Sequence, residues 1–119
     1  VRARAIVRIM RVSMLIMSDC QETIEQARLS LMSWHRGAAA LDTVFMYHNA
    51  AYAPLNLAES SRRAWMEMVK LTGVRLLVCR TAIEQRGLTN TQSPFLLGGL
   101  ADWVQASLRS DVRRCVSAW

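Results

Sequence analysis

The strongest chemical argument in this chain belongs to one cysteine. Cys79 closes the apolar run Val74-Arg75-Leu76-Leu77-Val78-Cys79, and Thr81 with Glu84, at capping-box spacing, begins a helix directly after it. A thiol at such a junction faces unpaired backbone N–H groups and the positive end of a helix dipole, both of which favour the thiolate, the nucleophilic form. Arg80 and Arg86 add positive charge nearby. The plainer alternative is a small buried cysteine that ends a strand. Cys20 has a related setting, in the first turn of a helix that follows the first apolar run, and is a candidate second thiol. Cys115 lies within the last apolar run and reads as packing.

Other chemistries find less support. There is no GxGxxG fingerprint after the first strand and no GxxxxGK[ST] loop, so no nucleotide site is expected. His35 and His48 are the only histidines, and neither stands near a cysteine or carboxylate at metal-ligand spacing. No metal or other cofactor is expected, and no Ser, His and Asp set suggests a triad. Gly98-Gly99 before a helix fits either a tight turn or an anion at the helix start. The aromatics do not interleave with Arg on one strand face, as a nucleic-acid platform requires.

The elements that must position these groups alternate in type. Val12–Met17 is a short continuous apolar run, as in a strand buried on both faces. Ser18 with Gln21, or Asp19 with Glu22, has capping-box spacing, and Ile24, Ala27, Leu31 and Trp34 recur at helical spacing up to Gly37. Residues 43–47 form a second strand, and His48 to Asn56 reads as a loop containing Pro54. A helix over 60–71 carries Ala64, Trp65, Met68 and Leu71 and stops at Gly73. The third strand ends at Cys79, and a short helix runs to Arg86 and ends at Gly87. A short fourth strand falls within 92–97, followed by a helix with Leu100, Trp103, Val104 and Leu108. Residues 111–116 close the sheet at an edge, because Arg113 and Arg114 suit an edge strand.

This order predicts an α/β domain with a mostly parallel sheet of about five strands, covered on both faces by right-handed crossovers. Working groups in such sheets gather at the carboxyl ends of the strands. That rule selects Ser18–Cys20, His48–Tyr52 and Cys79–Thr81. With a strand order of 2-1-3-4-5, the first and third strands are neighbours and Cys20 and Cys79 share one edge.

A length of 119 residues fits one compact domain. With 52% hydrophobic and 20% charged residues, the chain is neither disordered nor fibrous. An odd count of three cysteines reads as thiols in a reducing compartment, and a cytoplasmic protein is expected. No apolar run reaches the roughly 18 residues of a membrane span, and no signal peptide is apparent. The net charge of +6 is uneven: Arg2, Arg4, Arg8 and Arg11 hold four of it, leaving +2 over residues 12–119. The expected organisation is a basic extension over residues 1–11 and a single domain over 12–119.

Three stretches resemble the DsrE/TusD-like sulfur-relay proteins of the DsrE/DsrF family. Leu76-Leu77-Val78-Cys79-Arg80-Thr81-Ala82-Ile83-Glu84-Gln85-Arg86-Gly87 is similar to the family's cysteine segment, in which a strand ends in Cys and a short helix closes in Arg-Gly. Val44-Phe45-Met46-Tyr47, with Tyr52 and Leu57, resembles its second strand and following loop. Phe95-Leu96-Leu97-Gly98-Gly99-Leu100, with Ala106-Ser107-Leu108 and Asp111-Val112, resembles its last helix and strand. After its first strand this chain has the short Ser18-Asp19-Cys20-Gln21 where the family has a longer, glycine-containing loop.

The resemblance implies a flavodoxin-like three-layer sandwich that assembles into trimers or hexamers with DsrE/DsrF/DsrH-like subunits. It implies a sulfurtransferase in which Cys79 carries sulfane sulfur as a persulfide that passes to a small acceptor of the TusE/DsrC type; on the reading of the residues themselves, Arg80 and the helix start stabilise the anion. Cys20 falls outside the family pattern; with strand order 2-1-3-4-5 its place on the same sheet edge would let it receive sulfur or resolve the persulfide as a disulfide. No cofactor is implied. The alternatives are a non-catalytic structural or interaction subunit of such an assembly, and RNA binding through the basic extension, which would be steeply salt-dependent. Direct nucleic-acid binding is not the expectation, since the domain itself is near charge balance.

Overall fold

The computed structural model describes residues 9–117. Most of the basic extension, residues 1–8, lies outside the described residues, as do residues 118–119. The described chain runs β1 (Arg11–Ile16), α1 (Gln21–Arg36), β2 (Ala40–Met46), a 3-10 turn (His48–Tyr52), α2 (Ala53–Asn56), α3 (Glu59–Thr72), β3 (Arg75–Cys79), α4 (Arg80–Gln85), β4 (Leu96–Gly98), α5 (Leu100–Arg109) and β5 (Val112–Val116). Arg11, grouped with the extension in the sequence, opens β1.

The five strands form one sheet in which every pairing is parallel, in the order β4-β3-β2-β1-β5. The fold is a three-layer α/β sandwich of the flavodoxin-like type. Three successive right-handed crossovers step from β1 to β4 in one direction and lay their helices on one face. The return from β4 to β5 carries α5 to the other face, where it packs on β1 and β2. Trp103 there meets Phe45 at 6.5 Å between ring centroids. β2 is buried along nearly its whole length, as a strand covered on both faces must be. β5 lies at the edge and exposes Arg113 and Arg114, as expected.

The strand order departs from 2-1-3-4-5. β2 sits between β1 and β3, so those two strands are not neighbours and Cys20 and Cys79 do not lie on adjacent strands. Order depends on which strand pairs are formed across the sheet, and no local signal encodes that. The expected capping boxes are also absent. Cys20 itself is the N-cap of α1, with the Ser18 hydroxyl accepting from its N–H at 3.1 Å, and Cys79 is the N-cap of α4. The segment from His48 to Asn56 is helical rather than a loop: Pro54, near the start of α2, suits a first helical turn, and the pieces are too short to show a period. β2 begins at Ala40, earlier than expected.

The expected apolar stripes are only partly buried. Trp65 and Met68 of α3 enter the core, Trp65 against Phe95 at 5.7 Å, but Leu71 stays exposed. On α5 only Ala106 is buried, and Leu100, Val104 and Leu108 form an exposed line at i, i+4 and i+8. Gly73 ends α3 in the left-handed region at φ 74°, where a side chain would be strained. At the amino end of the sheet, Asp42 accepts from Arg109 at 2.7 and 2.8 Å, from Arg11 at 3.1 Å and from the Thr43 hydroxyl at 2.7 Å.

Candidate functional site

Cys79 is the last residue of β3 and the cap of α4, so no connecting residue lets it leave the sheet. It is 3% exposed. Its strand neighbour on one side is Gly98 of β4, where a Cβ would come within 3.1 Å of Leu77. Glycine therefore allows β4 to close over this corner. Cys79 borders a cavity of about 150 Å³ that also touches Tyr47, His48, Ala82, Arg86 and Leu100. The carboxyl end of β2, both ends of α4 and the first residue of α5 build it together.

Arg86 and His48 form the polar wall. Arg86 ends α4, and its Nη2 donates to His48 Nδ1 at 2.6 Å and to Asn49 Oδ1 at 3.1 Å. Its Nε also faces Asn49 Oδ1 at 3.3 Å, and Nη1 donates to the Ala82 carbonyl at 3.3 Å. The guanidinium stands 6.0 Å from the Tyr52 ring centroid. A guanidinium can only donate, so His48 Nδ1 accepts and the ring's proton sits on Nε2. His48 holds φ +56°, a left-handed conformation in which His is enriched among non-glycine residues. Arg80 opens α4 but is exposed and lies outside the cavity lining.

Cys20 is placed differently. It is exposed at the start of the 16-residue α1. It lies at one end of an open groove of about 430 Å³, bordered by the first turns of α1 and by Ser61 of α3. The Thr23 backbone N–H, then the Thr23 hydroxyl and the Glu22 N–H, hold its thiol pKa below the ordinary value, although the Glu22 charge opposes them. Neither concavity contains both cysteines, and Cys20, Cys79 and Cys115 are all free thiols. Cys115 is exposed on the edge strand β5 rather than packed in the core.

At the Gly98-Gly99 corner a side chain of the helix itself caps the start of α5. The Asp102 carboxylate already accepts from the Gly99 N–H at 2.8 Å. Among the described residues no group of His, Cys, Asp or Glu side chains converges as metal ligands, and no helix is long and apolar enough to cross a membrane.

The fold has solved counterparts. The ychN protein of E. coli superimposes with a TM-score of 0.67 at 15% sequence identity, over 93% of this chain and 100% of that one. MTH1491 of Methanobacterium thermoautotrophicum, described as a protein of unknown function, gives 0.73 at 14% identity, over 88% and 98%. These likenesses establish the fold. Models of protein families give no match, and neither do curated proteins.

His48 and Arg86 carry more of the site than the sequence assigned to them. The rule of carboxyl strand ends selects His48–Tyr52 from the sequence, and by sequence Arg86 is only nearby charge. Their contact across 38 positions had no local signal.

Proposed function

We propose that this protein is a sulfur carrier of the DsrE-like type, in which Cys79 accepts sulfane sulfur as a persulfide and passes it to a thiol of a partner protein. The observation that carries the reading is the place of Cys79: a free thiol at a strand-to-helix junction, beside a small cavity walled by Arg86 and His48. The backbone N–H groups at the start of α4 and the Arg86 charge support an anionic persulfide there. Arg80 contributes at longer range from the surface, and Cys20 serves as a second, separately exposed thiol. The exposed line of Leu100, Val104 and Leu108 supports association with further subunits. The single domain begins with β1 at Arg11, and the basic residues before it serve as an extension.

The test is intact mass and peptide mapping after incubation with inorganic polysulfide. Added sulfur on Cys79, removable by a thiol protein and absent from Cys79→Ser, is the expected result. Cys79→Ser that loads and transfers sulfur as well as the parent chain would overturn the reading.

A second reading is favoured by the near-complete burial of Cys79. In it the cysteine is inert and the chain is a structural or interaction subunit of a DsrE-like assembly. A Cys79 that stays unmodified in folded protein while Cys20 reacts would select this reading.

A further inference from the structure

We infer that the Cys79 cavity selects a small anionic sulfur donor, one whose sulfane sulfur is bonded to a negatively charged oxyanion head, and that Arg86 with His48 is its recognition wall. This rests on the sulfur-carrier reading and gives it a substrate class.

The argument begins with charge. All the partners of the Arg86 guanidinium are neutral: an imidazole nitrogen, a side-chain amide oxygen and a backbone carbonyl. Among the described residues no carboxylate pairs with it, and no acidic side chain lines the cavity. Its positive charge is therefore not cancelled locally. Nη1 retains one N–H beyond its bond to Ala82. His48, with Nδ1 occupied by Arg86, has its donor on Nε2, and no residue described accepts from it. The pair holds two spare donors and one net positive charge beside a thiol.

Size narrows the class. A cavity of about 150 Å³ is on the order of one that takes a benzene-sized ligand. With Cys79 only 3% exposed, a donor of a few heavy atoms fits the cavity beside it.

The chemistry needs such a wall. The Cys79 thiolate attacks the sulfane sulfur of the donor, and a new sulfur–sulfur bond forms. The donor's own sulfur–sulfur bond breaks, and its electron pair leaves on the oxyanion head as sulfite or a sulfinate. Cys79 becomes a persulfide anion. Total charge is unchanged, no proton moves, and no outside oxidant or reductant enters. Two like charges must meet in this step, and a nearby guanidinium offsets their repulsion.

The test compares two alkylating agents of nearly equal size, iodoacetate and iodoacetamide, at each cysteine by peptide mapping. In the parent chain the iodoacetate-to-iodoacetamide rate ratio is expected to be higher at Cys79 than at Cys20. Arg86→Gln should lower the ratio at Cys79 by about tenfold, Arg86→Lys should restore part of it, and Cys20 should not change. Sulfate should protect Cys79 of the parent chain, but not Cys20, against iodoacetamide; this arm needs no variant to fold. In parallel, thiosulfate and a neutral organic trisulfide are offered as sulfur donors. Loading of Cys79 by thiosulfate in preference to the trisulfide supports the inference. An unchanged ratio in folded Arg86→Gln, absence of sulfate protection, or preference for the neutral donor overturns it. A ratio that responds to Arg86 while no donor loads sulfur overturns the carrier reading and retains the anion-recognising wall.

Discussion

Cys20 and Cys79 occupy the same kind of position, each the cap of a helix that follows a parallel strand, yet their surroundings differ in burial, in connector length and in neighbouring charge. Three residues separate Cys20 from β1, and it stands exposed in an open groove at the start of a long helix. Cys79 is both strand end and cap, and the sheet holds it buried beside a small cavity with an unneutralised guanidinium. The connector length makes the difference. A short excursion from the sheet buys access to water and to α1's free N–H groups, whereas a direct junction keeps the sulfur inside and confines what reaches it. One corner is built for general reactivity and the other for selection.

The largest expected contrast is in native-state labelling. With N-ethylmaleimide, Cys20 should react roughly two orders of magnitude faster than Cys79, which a reagent reaches only through the small cavity. Equal rates, measured by mass spectrometry on folded protein, would break the comparison.

Stability can be lowered without touching either corner. Asp42→Asn should cost about 2–3 kcal/mol in denaturant unfolding, since it weakens charge-assisted bonds from Arg109 and Arg11 to a largely buried carboxylate. The Arg109 guanidinium, with the Thr43 hydroxyl and Arg11, holds the Asp42 pKa far below the ordinary carboxylate range against the opposing effect of burial. The folded pKa is thus depressed, so unfolding takes up a proton in acid. This stabilisation is complete above the unfolded pKa of about 3.9 and is lost as pH falls below it. In Asp42→Asn that part of the acid sensitivity should disappear, and the Cys20-to-Cys79 labelling ratio in folded protein should stay the same.

Gly98→Ala bears on one corner alone. Its Cβ would press on Leu77 at 3.1 and 3.2 Å, at a cost of about 1 kcal/mol. It should speed Cys79 labelling and leave Cys20 unaffected; an equal effect on both would mean that the corners open together.

The smallest effect is at Cys20. Because its thiol pKa is lowered, its alkylation should reach half-maximal rate below the pH of a free cysteine. Thr23→Val, which removes one donor and keeps the backbone N–H, should move that midpoint upward only slightly. No movement would show that the backbone donors act alone.

Much of this architecture was legible in the sequence. Alternating apolar runs and 3.6-residue periods identify the five strands and the longer helices, because burial on two faces or on one stripe dictates composition directly. Gly73, and the paired arginines of β5, mark a helix end and a sheet edge for local reasons of backbone conformation and solvation. Cys79 stood out for the same reason: a strand end meeting a helix start is a local fact. The short helical pieces between His48 and Asn56 escaped because one turn of helix contains no period.

What the tertiary structure alone decided is who meets whom. Strand order put β2 between the two cysteine-bearing connections, since parallel strands can pair in several orders with equally apolar sequences. It split the apolar residues of α5 between Trp103, which packs on Phe45, and an exposed line. It also set Arg86 rather than Arg80 beside the cavity and gave it His48, a residue 38 positions away, as a partner. Sequence determines which segments bury their side chains, because hydrophobicity and periodicity belong to single residues and their spacing. The wall of a site is a relation between distant segments, and only the packed chain brings them within reach of a hydrogen bond.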